Sequence, residues 1–346
     1  MNSPFFRREE FRVCDVPVPA GYPQSQTHSS IYYYEGRYYL TTSPYPGKKY
    51  SVFQMRIRGI MKRLSCGRLC RSKSGEVYEN PCFYEGIGTN DKAPVTFRLF
   101  SERPLMDTPE PIFGLPAFNS DPELFIENGR AYILNRAVYR TKLFNSGYEC
   151  LTDIFLIEGN LGYERFKLDT IKLIKEWEKP YASPCLIKFK TKYLFSYLDT
   201  NSALDATTFN GLYLQELDAI GELAYNQTYR RIKVNSGNLL PWHMSLFSYR
   251  DKLYTIIACV RKGDKTRKIW QMFGEFNDEL TELSIYPKPL TDFNSYRGAA
   301  LVRDDGRFIL YSTVLWEQIK GTKSIDGRDV VLAECDFSKL QTALKY

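Results

Sequence analysis

One pattern of apolar and polar positions recurs five times along the chain. A polar residue leads into a mainly apolar run, a tight turn follows, and a second, aromatic-rich run comes back. The copies are HSSIYYYEGRYYL (28–40), DPELFIENGRAYIL (121–134), SPCLIKFKTKYLF (183–195), HMSLFSYRDKLYTI (243–256) and RGAALVRDDGRFIL (297–310). Gly36, Gly129, Thr191, Asp251 and Gly306 follow short polar stretches, as hairpin turns do. The flanking runs have the length and composition of strands, so each copy is predicted to be a β-hairpin. Further strand-like runs lie between copies: DIFLIEG (153–159), GLYLQEL (211–217), IWQMFGEF (269–276) and VVLAECDF (330–337). A hairpin with one or two more strands makes a blade-sized antiparallel sheet, and radial repetition of such sheets is a β-propeller. The expected fold is therefore all-β, a five-bladed β-propeller forming one domain over residues 1–346. An irregular β-sandwich with coincidental hairpins is the competing architecture. The last four copies, spaced by about 55 to 62 residues, argue against it. The first interval is about 93 residues, and its excess is a basic segment, about residues 48–75, read as an insertion in blade 1.

Composition narrows the function. Apolar residues at 43% and charged residues at 25% fit a folded protein and exclude wholesale disorder. No window reaches the roughly 18 apolar residues of a membrane-spanning helix. The opening MNSPFFRREEFRVCDV has no apolar h-region, so no secretory signal is recognised and a cytoplasmic location is expected. Nine Lys or Arg and no Asp or Glu lie between Lys48 and Lys73. The rest of the chain is close to neutral, which speaks against a nucleic-acid partner and for one local basic patch. In that patch Phe53, Ile57, Ile60, Met61 and Leu64 fall at helical spacing, while Phe53, Met55 and Ile57 alternate as a strand would; both readings stand. A solvated cover on the propeller's side is the plain expectation, and of the partners a basic amphipathic helix could touch (membrane, nucleic acid or acidic polysaccharide) an acidic glycan fits best. The eight cysteines are scattered. Cys66, Cys70 and Cys82 lack a second C-x₂₋₄-C pair and lie far in sequence from both histidines, so no metal site is expected there.

The repeat register exposes a polar ring. Eight residues before each turn stand His28, Asp121, Ser183, His243 and Gly298, the last preceded by Arg297. The innermost strands of a propeller line its central axis, so equivalent positions converge there. Both histidines of the chain, one Asp, one Ser and one Arg are expected around one mouth, the natural place for a binding site.

At this point the sequence resembles a family. NSDPELFIENGRAYIL is similar to a segment of glycoside hydrolase family 43 in which a DP pair precedes a Tyr-rich hairpin, and SPCLIKFKTKYLFSY resembles that family's later EGP-type segment. PWHMSLF and SYRGAALVRDDGRFILYS match the style of blades four and five. The group holds families 43, 32, 62, 117 and 130, and the resemblance spans about residues 25 to 315. It implies a five-bladed propeller acting on an oligo- or polysaccharide, with a structural calcium in the channel in some members. Family 43 uses an Asp base in blade 1, an Asp that tunes the acid in the next blade, and a Glu acid in the EGP segment. Here His28 stands at or near the first place, Asp121 matches the second, and Ala182 takes the third. Glycoside hydrolysis ordinarily needs two carboxyl groups, so that mechanism does not transfer intact.

Three functions follow. The first is a glycoside hydrolase of non-standard mechanism, with Asp121 as central carboxylate, His243 or His28 as proton-transfer partner, and Glu178, Asp199 or Glu123 as second carboxylate. Family 117 resembles this fold and is thought to use a His as acid; imidazole titrates near neutrality without a large shift. The second is a glycan-binding propeller without catalysis, in which the ring with Ser183 bonds hydroxyls and Tyr45, Trp242 and Tyr296 stack on sugars. The third is a glycoside phosphorylase, with Arg297, Arg136 and His243 on inorganic phosphate. No G-x-x-x-x-G-K-[ST], G-x-G-x-x-G, H-E-x-x-H or G-x-S-x-G motif is present, so nucleotide, zinc-protease and serine-hydrolase functions have no support.

Overall fold

A computed structural model describes residues 4–20, 25–44, 80–88, 92–107, 109, 117–140, 150–177, 181–200, 208–226, 228–264, 266, 268–315, 319–321 and 328–345. Tyr45, Glu178 and the whole basic segment 48–75, with Cys66 and Cys70, lie outside the described residues.

Each predicted hairpin is present and is extended by further strands. Blade 1 is β2 (Gln26–Tyr34), β3 (Arg37–Pro44), β4 (Cys82–Ile87) and β5 (Thr96–Leu99); blade 2 is β6 (Ala117–Glu127), β7 (Arg130–Arg140), β8 (Cys150–Leu161) and β9 (Phe166–Trp177). Blade 3 is β10 (Tyr181–Phe189), β11 (Lys192–Thr200), β12 (Phe209–Leu217) and β13 (Arg230–Asn235); blade 4 is β14 (Leu239–Tyr249), β15 (Lys252–Arg261), β16 (Ile269–Phe276) and β17 (Glu282–Ile285). Blade 5 joins β18 (Ser295–Val302), β19 (Arg307–Val314) and β20 (Val330–Asp336) to the short N-terminal strand β1 (Arg12–Val13). The chain is a five-bladed β-propeller, closed by pairing of its own N-terminal segment with its last strand, Arg12 opposite Leu332 and Val13 opposite Val331.

The turns explain the register. Glu35–Gly36, Asn128–Gly129 and Arg250–Asp251 all have positive φ at both positions and each closes a two-residue loop. Such turns match the twist of the strands they join.

The innermost strands β2, β6, β10, β14 and β18 neighbour one another in a closed cycle. Their outward apolar side chains fill the wedges between blades. Leu124, Ile126 and Ile133 of blade 2 pack on Tyr39 and Phe83 of blade 1; Phe125 and Leu134 pack on Leu186 and Phe195 of blade 3. Similar clusters join blades 3 and 4, 4 and 5, and 5 and 1. Two features lay beyond the hairpin pattern. β13 and β17 pair in parallel and stitch blades 3 and 4 into one eight-stranded sheet. A C-terminal helix, α1 (Phe337–Lys345), buries Phe337, Leu340 and Leu344 against the wedge between blades 4 and 5. Among the described residues no helix is long and apolar enough to cross a membrane.

Candidate functional site

Every innermost strand carries a β-bulge near its start. Ladder pairing breaks between Thr27 and Ser30, Ser120 and Glu123, Ala182 and Cys185, Pro241 and His243, and Ser295 and Gly298. Bulges re-aim side chains and gather at functional sites. In blades 1 to 3 the first bulged residue is His28, Asp121 or Ser183, and each has left-handed backbone, with φ of 55°, 52° and 50°. That conformation costs a non-glycine residue about 1–2 kcal/mol. Three non-glycine residues held there at one level of one channel mark a place where side-chain direction outweighs backbone comfort.

These bulges bring remote residues onto one carboxylate. Nδ1 of His28 stands 2.8 Å from Oδ1 of Asp121, and Nδ1 of His243 stands 3.1 Å from the same oxygen. Oδ2 of Asp121 accepts from Arg136 Nη2 at 3.0 Å and from the Ser183 backbone N–H at 3.0 Å. Arg136 also donates to the Tyr181 carbonyl at 2.7 Å and the Ser120 hydroxyl at 3.1 Å, so its fork is fixed on three partners. Ser120 Oγ lies 3.2 Å from His28 Nε2, and Ser183 Oγ lies 3.0 Å from His243 Nδ1. His28, Asp121, Ser183 and His243 are all buried. The Tyr296 ring lies 4.7 Å from each imidazole, and Trp242 packs 4.5 Å from His243 and 5.0 Å from Tyr296. These two aromatics cover the cluster.

Electrostatics fix the charge states. Burial by itself would raise the Asp121 carboxyl, but the Arg136 guanidinium and the two imidazoles outweigh it and hold it well below the usual carboxylate range. Burial pushes His243 down to about 4 against the pull of Asp121. Asp121 is therefore an anion and His243 a neutral ring at neutral pH. With its proton on Nδ1, turned to Asp121, His243 keeps a lone pair on Nε2. That atom is buried and has no hydrogen-bond partner among the described residues. One donor atom each from His28, Asp121 and His243 lie within 4.8 Å of one another, a spacing suited to a metal ion.

A second layer lies just below. Arg297 is wholly buried, with Nη2 paired to Glu123 Oε2, Nη1 donating to the Pro122 carbonyl at 2.8 Å and Nε to the Met244 carbonyl at 3.3 Å. Ser245 Oγ donates to the other oxygen of Glu123 at 3.0 Å. Burial pushes the Glu123 carboxyl up against the opposing pull of Arg297, Ser245 and Ser30. This ion pair ties blade 2 to blade 5 across the axis.

The sequence-predicted residues thus divide. His28, Asp121, Ser183, His243, Arg136, Trp242 and Tyr296 come together. Arg297, expected as an anion or hydroxyl ligand, has all three kinds of guanidinium nitrogen committed to the chain, because the bulge at Tyr296–Arg297 turns it down the channel. Arg136, expected to bind phosphate, holds Asp121 instead. Glu123 reaches the axis but is taken by Arg297. Asp199 sits on β11 opposite Tyr181 and accepts from Asn210 Nδ2 at 3.4 Å, outside the cluster's contacts. Ala182 is fully buried where the family pattern has its Glu acid. Ser120 and Ser245 lie outside the sequence-predicted set; Ser120 immediately precedes the DP pair at the edge of the bulge, and that adjacency to Asp121 is the one signal in the sequence that points to it.

No family model matches this sequence, and no curated protein matches it. Solved structures do match. The chain has the fold of the propeller glycoside hydrolases and their relatives. An N-acetylgalactosamine deacetylase from F. plautii, solved with blood group B trisaccharide, superposes with TM-score 0.65 at 13% identity over 96% of each chain. A xylan β-1,4-xylosidase from Bacillus halodurans gives 0.62 at 13% identity, over 93% of this chain and 54% of that one. An endo-arabinase from Bacteroides thetaiotaomicron gives 0.54 at 12% identity, over 94% and 98%. At such identities the likeness is one of fold.

Proposed function

We propose that this protein acts on a carbohydrate, as a glycan hydrolase whose working centre is His28, Asp121 and His243 instead of a pair of carboxylates. The observation that carries it is the meeting of two imidazoles from blades 1 and 4 on one oxygen of a blade 2 carboxylate. Support comes from the neighbours of the same fold, which include a xylosidase and an arabinase. In this reading Asp121 orients both rings and steadies positive charge on them. His243 Nε2, the ring nitrogen not turned to Asp121, exchanges a proton with substrate or water. Trp242 and Tyr296 give the sugar aromatic faces, and Tyr296 must move aside for a ring to reach the imidazoles.

A second reading is favoured by the shortage of carboxylates. Among the described residues the cluster holds one, Asp121, and Glu123 below it is committed. Cleavage between sugars ordinarily uses two carboxyl groups about 5–10 Å apart. Hydrolysis of an acyl group on a sugar needs one base and one polarising centre, and one of the neighbours is an N-acetylgalactosamine deacetylase.

The test is a screen of aryl-glycosides, acidic oligosaccharides and N-acetylated amino sugars, with and without inorganic phosphate, scored for new reducing ends and for released acetate. Asp121→Asn is expected to lower turnover by about 10²–10⁴-fold, the usual worth of acid–base catalysis, with the fold retained. Turnover that survives this change removes Asp121 from the reaction. Glycan binding without turnover supports the non-catalytic propeller, and release that requires phosphate supports a phosphorylase.

A further inference from the structure

We infer that the His28–Asp121–His243 cluster is a binding site for one divalent transition-metal ion of the zinc or manganese kind. The site itself stands on the three donors; its use in hydrolysis rests on the glycan reading above.

The geometry points to an ion seated against Asp121 Oδ1. The two Nδ1 atoms stand 2.8 and 3.1 Å from that oxygen. Ligands about 2.0–2.2 Å from a common ion at tetrahedral or octahedral angles stand roughly 2.9–3.5 Å apart. Both His–Asp separations fall in or next to that range, and all three donor atoms lie within 4.8 Å of one another, so the two imidazoles need only draw towards each other to meet on one ion. The other carboxylate oxygen is already held by Arg136 and the Ser183 N–H, so Asp121 offers Oδ1 alone, in a fixed direction. Outer partners are also in place. When His28 gives its Nδ1 lone pair to an ion, its proton sits on Nε2, and that N–H donates a hydrogen bond to Ser120 Oγ at 3.2 Å. Three ligands from three blades leave coordination positions open, as a catalytic ion requires.

Donor chemistry selects the ion. Two imidazoles suit a borderline ion such as zinc and the carboxylate oxygen suits zinc or the harder manganese, whereas calcium takes six to eight oxygens. Among the described residues the only other carboxylate of this channel, Glu123, is neutralised by Arg297. With the ion bound, the His243 proton also sits on Nε2. The atom that accepts a proton in the ion-free ring then becomes a donor, aimed at the side not occupied by Asp121.

The experiment needs no glycan. The purified chain is stripped with chelator and equilibrated with zinc, manganese or calcium; bound metal is counted per chain by mass spectrometry. Cobalt(II) is then added, and its ligand-field absorption is recorded. One zinc or manganese ion per chain is expected, with at least a tenfold loss of affinity in His28→Gln and in His243→Gln, and altered cobalt bands in both. Circular dichroism identifies a variant that fails to fold; for such a variant Ser120→Ala, which removes the outer acceptor of His28 and one of the three partners of Arg136 while leaving all three donors in place, replaces it and is expected to weaken zinc binding about tenfold. Absence of stoichiometric metal, unchanged affinity in folded variants, or a preference for calcium overturns the assignment. Protein that binds one ion but leaves every glycan untouched defeats the carbohydrate reading and spares the site. Protein that turns over glycan with no metal does the reverse.

Discussion

Breaking the ion pair beneath the cluster separates architecture from recognition. Arg297 is fully buried, and its partners are the Glu123 carboxylate and two main-chain carbonyls. Removing one member leaves the other charge in the channel without its counterion, at a cost of about 3–5 kcal/mol. An unfolding entropy of about 2.1 cal/mol/K per residue over a chain of this length makes 1 kcal/mol worth about 1.4 °C. Arg297→Met or Glu123→Met should each lower the melting temperature by about 4–7 °C. The double variant puts two apolar chains of similar volume where the pair stood. Such swaps are often neutral or stabilising, so it should lie well above either single variant, with a coupling of about 3 kcal/mol or more. The assay is scanning calorimetry of the four proteins, with glycan affinity measured on each. Glycan affinity should follow foldedness and be intact in the double variant. If Arg297→Met leaves the melting temperature unchanged and abolishes glycan binding, the reasoning fails and Arg297 is a ligand after all.

Other outcomes follow from single contacts. Lys175 is buried, donates to the Asn226 carbonyl at 3.1 Å, lies 5.0 Å over the Tyr229 ring, and is pushed down to about 8 by burial. The unfolded chain therefore holds more protons than the folded one between about pH 8 and 10.5, and stability rises with pH across that window. Lys175→Met should be most stabilising, relative to wild type, below pH 8 and lose that advantage towards pH 10.5; parallel denaturation profiles would refute this. Gly159 sits at a bulge of β8, where an added Cβ would lie 2.3 Å from Phe166 Cζ and 2.4 Å from the Lys167 carbonyl oxygen. Gly159→Ala should cost about 1–3 kcal/mol in urea denaturation, because the clash includes backbone and Phe166 belongs to the wedge between blades 1 and 2.

The hairpin repeat was legible because it is local. A polar lead residue, apolar runs, a tight turn and a constant count from turn to strand start are written within some fifteen residues, and they placed five hairpins and the level of His28, Asp121, Ser183 and His243. What stayed hidden depends on contacts between distant segments. β1 closes blade 5 with two residues whose strand character comes from pairing with β20, and the parallel join of β13 to β17 has no periodic signature.

The same division runs through the site. The order of residues along the chain determined which groups reach the axis, since every innermost strand begins at its mouth. The direction of each group was decided by the bulges, which exist only once two strands pair. One extra residue in β18 turns Arg297 away from the mouth and down to Glu123, and left-handed backbone at His28 and Asp121 swings their side chains together. Charge followed geometry: Asp121 is an anion because Arg136 and the two imidazoles, which lie beside it only in the folded propeller, outweigh its burial, and His243 is a neutral ring because it is buried. Pairing and burial are properties of segments brought together in space, and no reading of one strand at a time contains them.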